Sequence, residues 1–405
     1  MIGADAAIKR FYRGTHRTAG PASTIKRFAP HARAFGITRI GNVTGLDYLG
    51  IPVCMAMRPN AKSLSVSQGK GLDAHAAMAS ALMEAIELAQ AEAFRPSRAA
   101  MSSYSALQKR RRAADPALLP RLKSVSVSRG ERLRWIEGID LMDGNPAWVP
   151  FDLVQSDFTV RYRGPFYRSS NGLASGNHLL EAQCAALCEV IERDATALFN
   201  AMGAWERAAR RIPVEGVRHA DCHALLRRLK ERGMSVALWN ATSDIGVPCF
   251  ICRFNEAPGN ARSAVGPCWG AGCHLNRDVA MVRAITEAAQ SRLTIIAGSR
   301  DDLMEEDYGR SDGASLFDVA LDAWERHLAA GSAATVRSLD TATFENDRAV
   351  LLARLRAAGL EQAIAVDLSS ARFCIPVVRV VVPGLAVPDR RVRSVPRLRA
   401  RVTAA

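Results

Sequence analysis

Residues 172–194 read GLASGNHLLEAQCAALCEVIERD, a glycine-rich turn running into a helix that carries Glu189 and Glu192. The same pattern occurs twice more. With Glu84, Glu189 and Glu287 as position zero, alanine recurs at minus seven (Ala77, Ala182, Ala280) and at minus three (Ala81, Ala186, Ala284). Position plus three is Glu87, Glu192 and Gln290. These offsets fall on one helix face. Each stretch follows glycines, namely Gly69 and Gly71, Gly172 and Gly176, and Gly270 and Gly272. Apolar helices gain nothing by repeating acids on a small-residue face. The pattern predicts a site where metal ions and a bulky anion approach the backbone.

The spacing predicts helices over 74–95, 178–200 and 277–296. Residues 134–140 and 147–153 alternate around Asp143-Gly144-Asn145 and predict a hairpin, as do 236–239 and 247–254. Residues 375–382 form a β-branched run that reads as a buried strand. Amphipathic segments 315–331 and 346–358 predict packing helices, and polar residues 97–133 a variable excursion. The fold class is α+β with mostly antiparallel sheets. The glutamate helices are too far apart for a solenoid, so they are expected to converge on one centre.

The chain has 405 residues, 48% of them apolar, enough for a large core. Its net charge of +14 does not point to nucleic acid. Only seven of the 54 basic residues are lysine, and the basic runs 109–112 and 390–401 lack interleaved aromatics that would stack on bases. No segment has the ~20 apolar residues that span a bilayer, and residues 1–20 have no apolar signal core. The nine cysteines are odd in number and set mostly in apolar runs. A cytoplasmic location without membrane or nucleic-acid partners is expected.

Five carboxylates brought together would repel and raise one another's pKa values. Mg²⁺, with nucleotide phosphates completing its shell, resolves this, and phosphoryl transfer is the expected chemistry. Glu84, Glu87, Glu189, Glu192 and Glu287 are the candidate metal ligands. Ser80 and Arg283 lie a turn before their glutamates, and Arg193 and Arg292 follow the acidic pairs, where guanidinium groups suit phosphate oxygens. Asn177 and Glu181 extend the second helix face, and the glycine turns leave helix N-termini open to anions. Lys70 is either a phosphate contact or a solvated loop residue. No GxxxxGK[ST] or GxGxxG signature is present. Cys249 and Cys252 lie in a strand and read as structural. Cys268 and Cys273 flank the third glycine turn, where either could face the site, and His178 and His274 near helix starts read as capping or surface residues and not as ligands.

Together, Ser67–Gly71, Ser80 with Glu84 and Glu87, Ser170–Asn177, Glu189–Asp194, Glu287 with Gln290 and Arg292, Gly298–Asp302 and Pro383–Leu385 resemble the YcaO family of ATP-dependent amide-activating enzymes. The resemblance spans about residues 15–390. Gly14–Arg17 and Val66–Gly71 are similar to the branch encoded beside a TfuA-type partner. The resemblance implies a YcaO-type fold around a central ATP site, with 1–60 its N-terminal segment, 61–390 the YcaO domain and 391–405 a basic tail. It implies Mg²⁺ and ATP binding by Glu84, Glu87, Glu181, Glu189, Glu192 and Glu287, and nucleotide contacts from Ser80, Asn177, Arg193, Arg283 and Gln290, with Arg17 and Thr24 as the N-terminal pair. Glu189, Glu192 and Arg193 are the expected catalytic residues. The implied reaction turns a peptide amide into a thioamide, with sulfide from a separate source, or into an azoline. An ATP-binding accessory role is the alternative. Leu88 stands where many relatives carry arginine, and the proline-rich C-terminal tail of many azoline-forming members is absent. A peptide or protein substrate, a TfuA-type partner and a homodimer are the expected associations.

Overall fold

A computed structural model describes residues 7–257, 265–301, 335–393 and 395–396. The expected helix 315–331, Asp302 and most of the tail 391–405 lie outside the described residues. Strands β1 (Arg10–Tyr12) and β2 (Thr15–Arg17) form a hairpin ahead of helix α1 (Pro21–Phe28). Strands β3 (Arg39–Asn42), β4 (Val53–Met57) and β5 (Val66–Lys70) make an antiparallel sheet with β5 at its edge, leading into α2 (Ala74–Ala93). The expected boundary near residue 60 therefore falls inside one sheet.

Next come β6 (Ala99–Ser103), α3 (Tyr104–Leu107), β7 (Arg132–Asp140), β8 (Pro146–Pro150) and β9 (Leu173–Ser175), which leads into α4 (Leu179–Asn200). Helices α5 (Ala204–Ala209) and α6 (Ala220–Glu231) precede β10 (Met234–Asn240), β11 (Cys249–Glu256) and β12 (Cys268–Cys273). These three strands form a second antiparallel sheet with β12 at its edge, and α7 (Arg277–Ala297) follows. Helix α8 (Phe344–Ala357), β13 (Ile364–Asp367) and β14 (Val377–Val381) complete the described chain. The six-stranded sheet runs β6-β7-β13-β14-β9, with β8 paired to β7 and β9 at the edge.

The α+β expectation holds, and both hairpins form. The first turns at Gly144, whose φ of 78° suits glycine, with its N–H donating to the Asp140 carbonyl at 2.7 Å. Segment 97–133 is not wholly an excursion. It supplies β6, which pairs with β7 from Ala99–Ile136 to Ser103–Arg132.

One unit is used three times: an edge strand, a short link and a glutamate helix, as β5–α2, β9–α4 and β12–α7. All six patterned alanines are fully buried. In the first and third units they bring the helix backbone against the preceding strand. A Cβ on Gly69 would lie 2.0 Å from Ala81 N and 2.2 Å from Ala77 O. One on Gly270 would lie 2.3 Å from Ala284 O and Ala288 N, and one on Gly272 2.2 Å from Ala280 O. Helix backbone thus rests directly on strand backbone. Gly69, Gly270 and Gly272 sit within strands, not in turns.

Gly270→Ala must separate helix from strand, since the atoms it strikes are backbone. We expect a loss of about 2–3 kcal/mol in urea unfolding, in the range of overpacked cores. Gly41→Ala, with nothing near its added methyl, is expected to change stability by less than about 1 kcal/mol.

Candidate active site

The three edge strands meet, and their unpaired backbone N–H groups hold the acids. The Gln68 N–H on β5 donates to Glu84. The Ser175 N–H and hydroxyl donate to Glu87 Oε1 at 2.9 and 2.7 Å. The Cys273 N–H donates to Glu192 Oε2 at 2.9 Å. Each plus-three glutamate is therefore tied to the strand of the next unit, α2 to β9 and α4 to β12. Helix α7 closes the ring back to β5, where Lys70 Nζ donates to Glu287 Oε2 at 2.8 Å and the Thr294 hydroxyl bonds the Gln68 side chain.

Burial, the largest influence, raises the carboxyl pKa of Glu84 to about 7, of Glu87 to about 8 and of Glu189 to about 7. Glu192 is also raised, first by burial and then by the charge of Glu287. Glu287 differs: burial pushes it up, but Lys70, Arg193 and Arg283 more than reverse this and hold it below the ordinary range. The cluster still reaches solvent, since the Glu189, Glu287 and Arg193 side chains are 21%, 22% and 37% exposed.

Arg193 lies 3.7 Å from Glu189, and its charge acts on Glu192 and Glu287. Arg283 faces the same two acids and leaves a buried Nε unpartnered. Glu181 accepts from the Thr18 N–H (2.9 Å) and hydroxyl (2.7 Å), with Arg17 Nε 3.5 Å away. Asn177 donates to the Thr24 hydroxyl at 3.0 Å. The N-terminal pair is thus delivered to the start of α4. Ser80 lies on α2 beside Gly69. Gln290 lies one turn beyond Glu287, its backbone carbonyl accepting from the Thr294 hydroxyl at 2.8 Å.

Two expectations are corrected. Arg292 does not reach the site: it is fully buried, with Nε 2.9 Å from Asp47 and a terminal nitrogen 2.9 Å from Glu256. The helix N-termini are not open to anions, because Asp73, His178 and Asn276 cap α2, α4 and α7 through their side chains. His178 is the expected cap, and His274 Nδ1 accepts from the Asn276 N–H at 2.9 Å. Cys249, Cys252, Cys268 and Cys273 are buried, and burial pushes the Cys252 and Cys268 thiols up to about 12 and the Cys273 thiol well above its usual range. Arg379 on β14 has no counterpart in the sequence reading. It is buried, donates to the Asn171 and Ser169 carbonyls at 2.7 and 2.6 Å, leaves Nε unpartnered and faces Glu189.

Among the described residues no three acidic, cysteine or histidine groups converge on a single metal position. The acids alternate with cations instead, Arg193 beside Glu189 and Lys70 against Glu287. That suits Mg²⁺, which is held by one or two carboxylates with phosphate oxygens completing its octahedron. The unpartnered Arg283 and Arg379 nitrogens, buried beside carboxylates, suit an anion carried with the metal. Mg²⁺–ATP therefore fits these residues. A cavity of about 1010 Å³ along the end of α2 and β13 includes none of the five site glutamates. The acids mark the site better, because buried charge without a ligand is the more expensive feature. Among the described residues no helix is long and apolar enough to cross a membrane.

Fold and site together define a protein built to hold a polyanion with divalent cations. Residues 68–386 match the family described as YcaO cyclodehydratase, ATP- and Mg²⁺-binding. An uncharacterized protein of the tfuA 3′ region of Rhizobium leguminosarum bv. trifolii is 38% identical over 92% of this chain and 89% of its own length. An uncharacterized protein of Methanothermobacter thermautotrophicus is 33% identical over 92% and 98%. The chain belongs to the YcaO family, with the branch associated with tfuA. Its fold matches YcaO from Methanopyrus kandleri bound with AMPPCP and Mg²⁺ at a TM-score of 0.74 and 24% identity, covering 96% and 98% of the two chains. It also matches a heterocyclase in complex with substrate and cofactor at 0.78 and 19%, covering 95% of this chain and 54% of that longer one. ATP and Mg²⁺ are the cofactors of its family.

The raised carboxyls set a pH dependence. Between the ordinary 4.5 and about 7–8 the ligand-free folded protein keeps protons that the unfolded chain has released. Its stability therefore falls as pH rises through that window. Thermal melts are expected to show a lower melting temperature at pH 8 than at pH 6 without ligand. Glu87→Gln should flatten that slope, and Mg²⁺ with a non-hydrolysable ATP analogue should offset the loss. A ligand-free melting temperature that rises over this range contradicts the assignment.

Proposed function

We propose that this chain is an ATP- and Mg²⁺-dependent enzyme that activates a backbone amide of a ribosomally made peptide or protein. The observation that carries this reading is the ring of five carboxylates on three helices, interleaved with Lys70, Arg193 and Arg283 and open to solvent. Its family membership and the relative in the tfuA 3′ region support it.

When bound, Mg²⁺–ATP supplies the γ-phosphoryl group that converts the amide oxygen into a leaving group. Glu84, Glu87, Glu189, Glu192 and Glu287 would hold the metal ions, each fixed by a backbone donor, a neighbouring cation or its place on a rigid helix. Arg193 and Arg283 face the space between α4 and α7, where they offset charge developing on phosphate. Ser80, Asn177, Gln290, Thr24 and the Arg17–Glu181 pair shape the nucleotide's surroundings. Glu189 and Glu192, with Arg193 3.7 Å from Glu189, carry the catalytic role in this reading. The oxygen lost from the amide departs with phosphate. Sulfide taking its place gives a thioamide, and a neighbouring Cys, Ser or Thr side chain gives an azoline. The tfuA neighbourhood of the relative favours the thioamide, with a TfuA-type partner and a sulfide source, and the protein acts as a cytoplasmic enzyme, alone or as a homodimer.

Glu189→Gln is expected to lower peptide-dependent ADP formation by about 10²-fold or more while leaving the circular dichroism spectrum intact. The peptide assay uses a precursor encoded beside the gene, with ATP, Mg²⁺, sulfide and the partner. A product heavier by the difference between sulfur and oxygen identifies thioamidation, and one lighter by a water identifies azoline formation. An unchanged peptide under every partner condition rejects the amide chemistry in favour of an accessory role.

A further inference from the structure

The sequence leaves Lys70 between two roles, and the structure gives it a third. Gly69 and Gly71 turn towards α2, where a methyl on Gly71 would lie 2.5 Å from the Ala76 Cβ. Alternation along β5 points the intervening Lys70 the other way. Its ammonium meets Glu287 of α7 at 2.8 Å, and the two side chains are only 18% and 22% exposed. The same charge acts on Glu84 of α2 and Glu192 of α4. One ammonium, fixed by two glycines that admit no side chain, thus serves an acid on each of the three helices.

We propose that Lys70 is a resident cation of the site, filling a place in the acid ring that would otherwise take a divalent ion. It thereby lowers the Mg²⁺ concentration at which nucleotide binds. This rests on the nucleotide reading above. A lysine suits the task because its charge is compact and its stem flexible, so it can neutralise carboxylates without demanding the octahedral shell of Mg²⁺. Glu287 is the acid Lys70 touches, ammonium to carboxylate at 2.8 Å. The protein therefore presents one ready charge pair before any metal arrives.

The test measures ATP binding by calorimetry over a Mg²⁺ series, and counts bound Mn²⁺ by electron paramagnetic resonance with ATP present. Lys70→Met is expected to raise the Mg²⁺ midpoint about tenfold, or to add one Mn²⁺ per chain, the loss of one close charge pair being large enough for either. Lys70→Arg should stay within about threefold of wild type, because the charge is kept. Lys70→Gln, whose amide can still donate to Glu287, is the second neutral variant and should follow Lys70→Met even if the latter folds poorly. Neutral variants with the wild-type midpoint and the wild-type Mn²⁺ count overturn the role of Lys70 alone. Wild-type protein that binds no ATP at any Mg²⁺ level overturns the nucleotide reading, and this role with it.

Discussion

The backbone N–H groups of three sheet edges, each aimed at a buried carboxylate, are what the rest of the site depends on. A sheet edge inside a protein is awkward, since its unpaired donors must find partners. Here Gln68 bonds Glu84, Ser175 bonds Glu87 and Cys273 bonds Glu192. The donors satisfy the acids and the acids satisfy the edges. Such contact needs helices very close to strands, and in the first and third units that closeness is possible only with glycine on one side and alanine on the other. The repeated alanines and glycines are thus a geometric condition for acid placement.

Electrostatics explains why this arrangement is incomplete alone. Glu84, Glu87, Glu189, Glu192 and Glu287 face Lys70, Arg193, Arg283, Arg300 and Arg379, while Arg17 stands against Glu181. Five acids and five cations largely removed from water are costly to keep ionised, and burial pushes three of the acids up to about 7 or 8. A triphosphate by itself would turn that balance negative. Divalent ions arriving with it reverse the sign, so the metal requirement follows from the charge count as well as from the chemistry of phosphate.

The glutamate helices were legible because their pattern is local: 74–95, 178–200 and 277–296 against Ala74–Ala93, Leu179–Asn200 and Arg277–Ala297. What the small residues touch was not legible, because a helix face seen alone does not say whether its neighbour is ligand or strand. Arg292 shows the same limit. Two residues past Gln290 it looks like a phosphate ligand, but the helix turns it towards Asp47 and Glu256, distant in sequence. Arg379 sits in a β-branched run that reads only as buried strand, and nothing local marks it as facing Glu189. The backbone donors leave no trace in residue identity. Strand β6 was hidden in a polar segment because its burial is slight.

The threefold likeness of the units is broken where it matters for orientation. The first two plus-three positions are glutamates tied to the next strand, whereas the third is Gln290, and α7 reaches β5 through Glu287 and Lys70. Position minus four changes from Ser80 to Ala185 to Arg283. Three equivalent units would present an anion with equivalent surroundings and give it no preferred direction. Replacing one carboxylate by an amide and adding Arg283 and Lys70 around α7 makes that side the more positive. A ring weighted in this way is no longer symmetric to a bound anion. Repetition therefore builds the ring, and the substitutions on its third unit give it polarity.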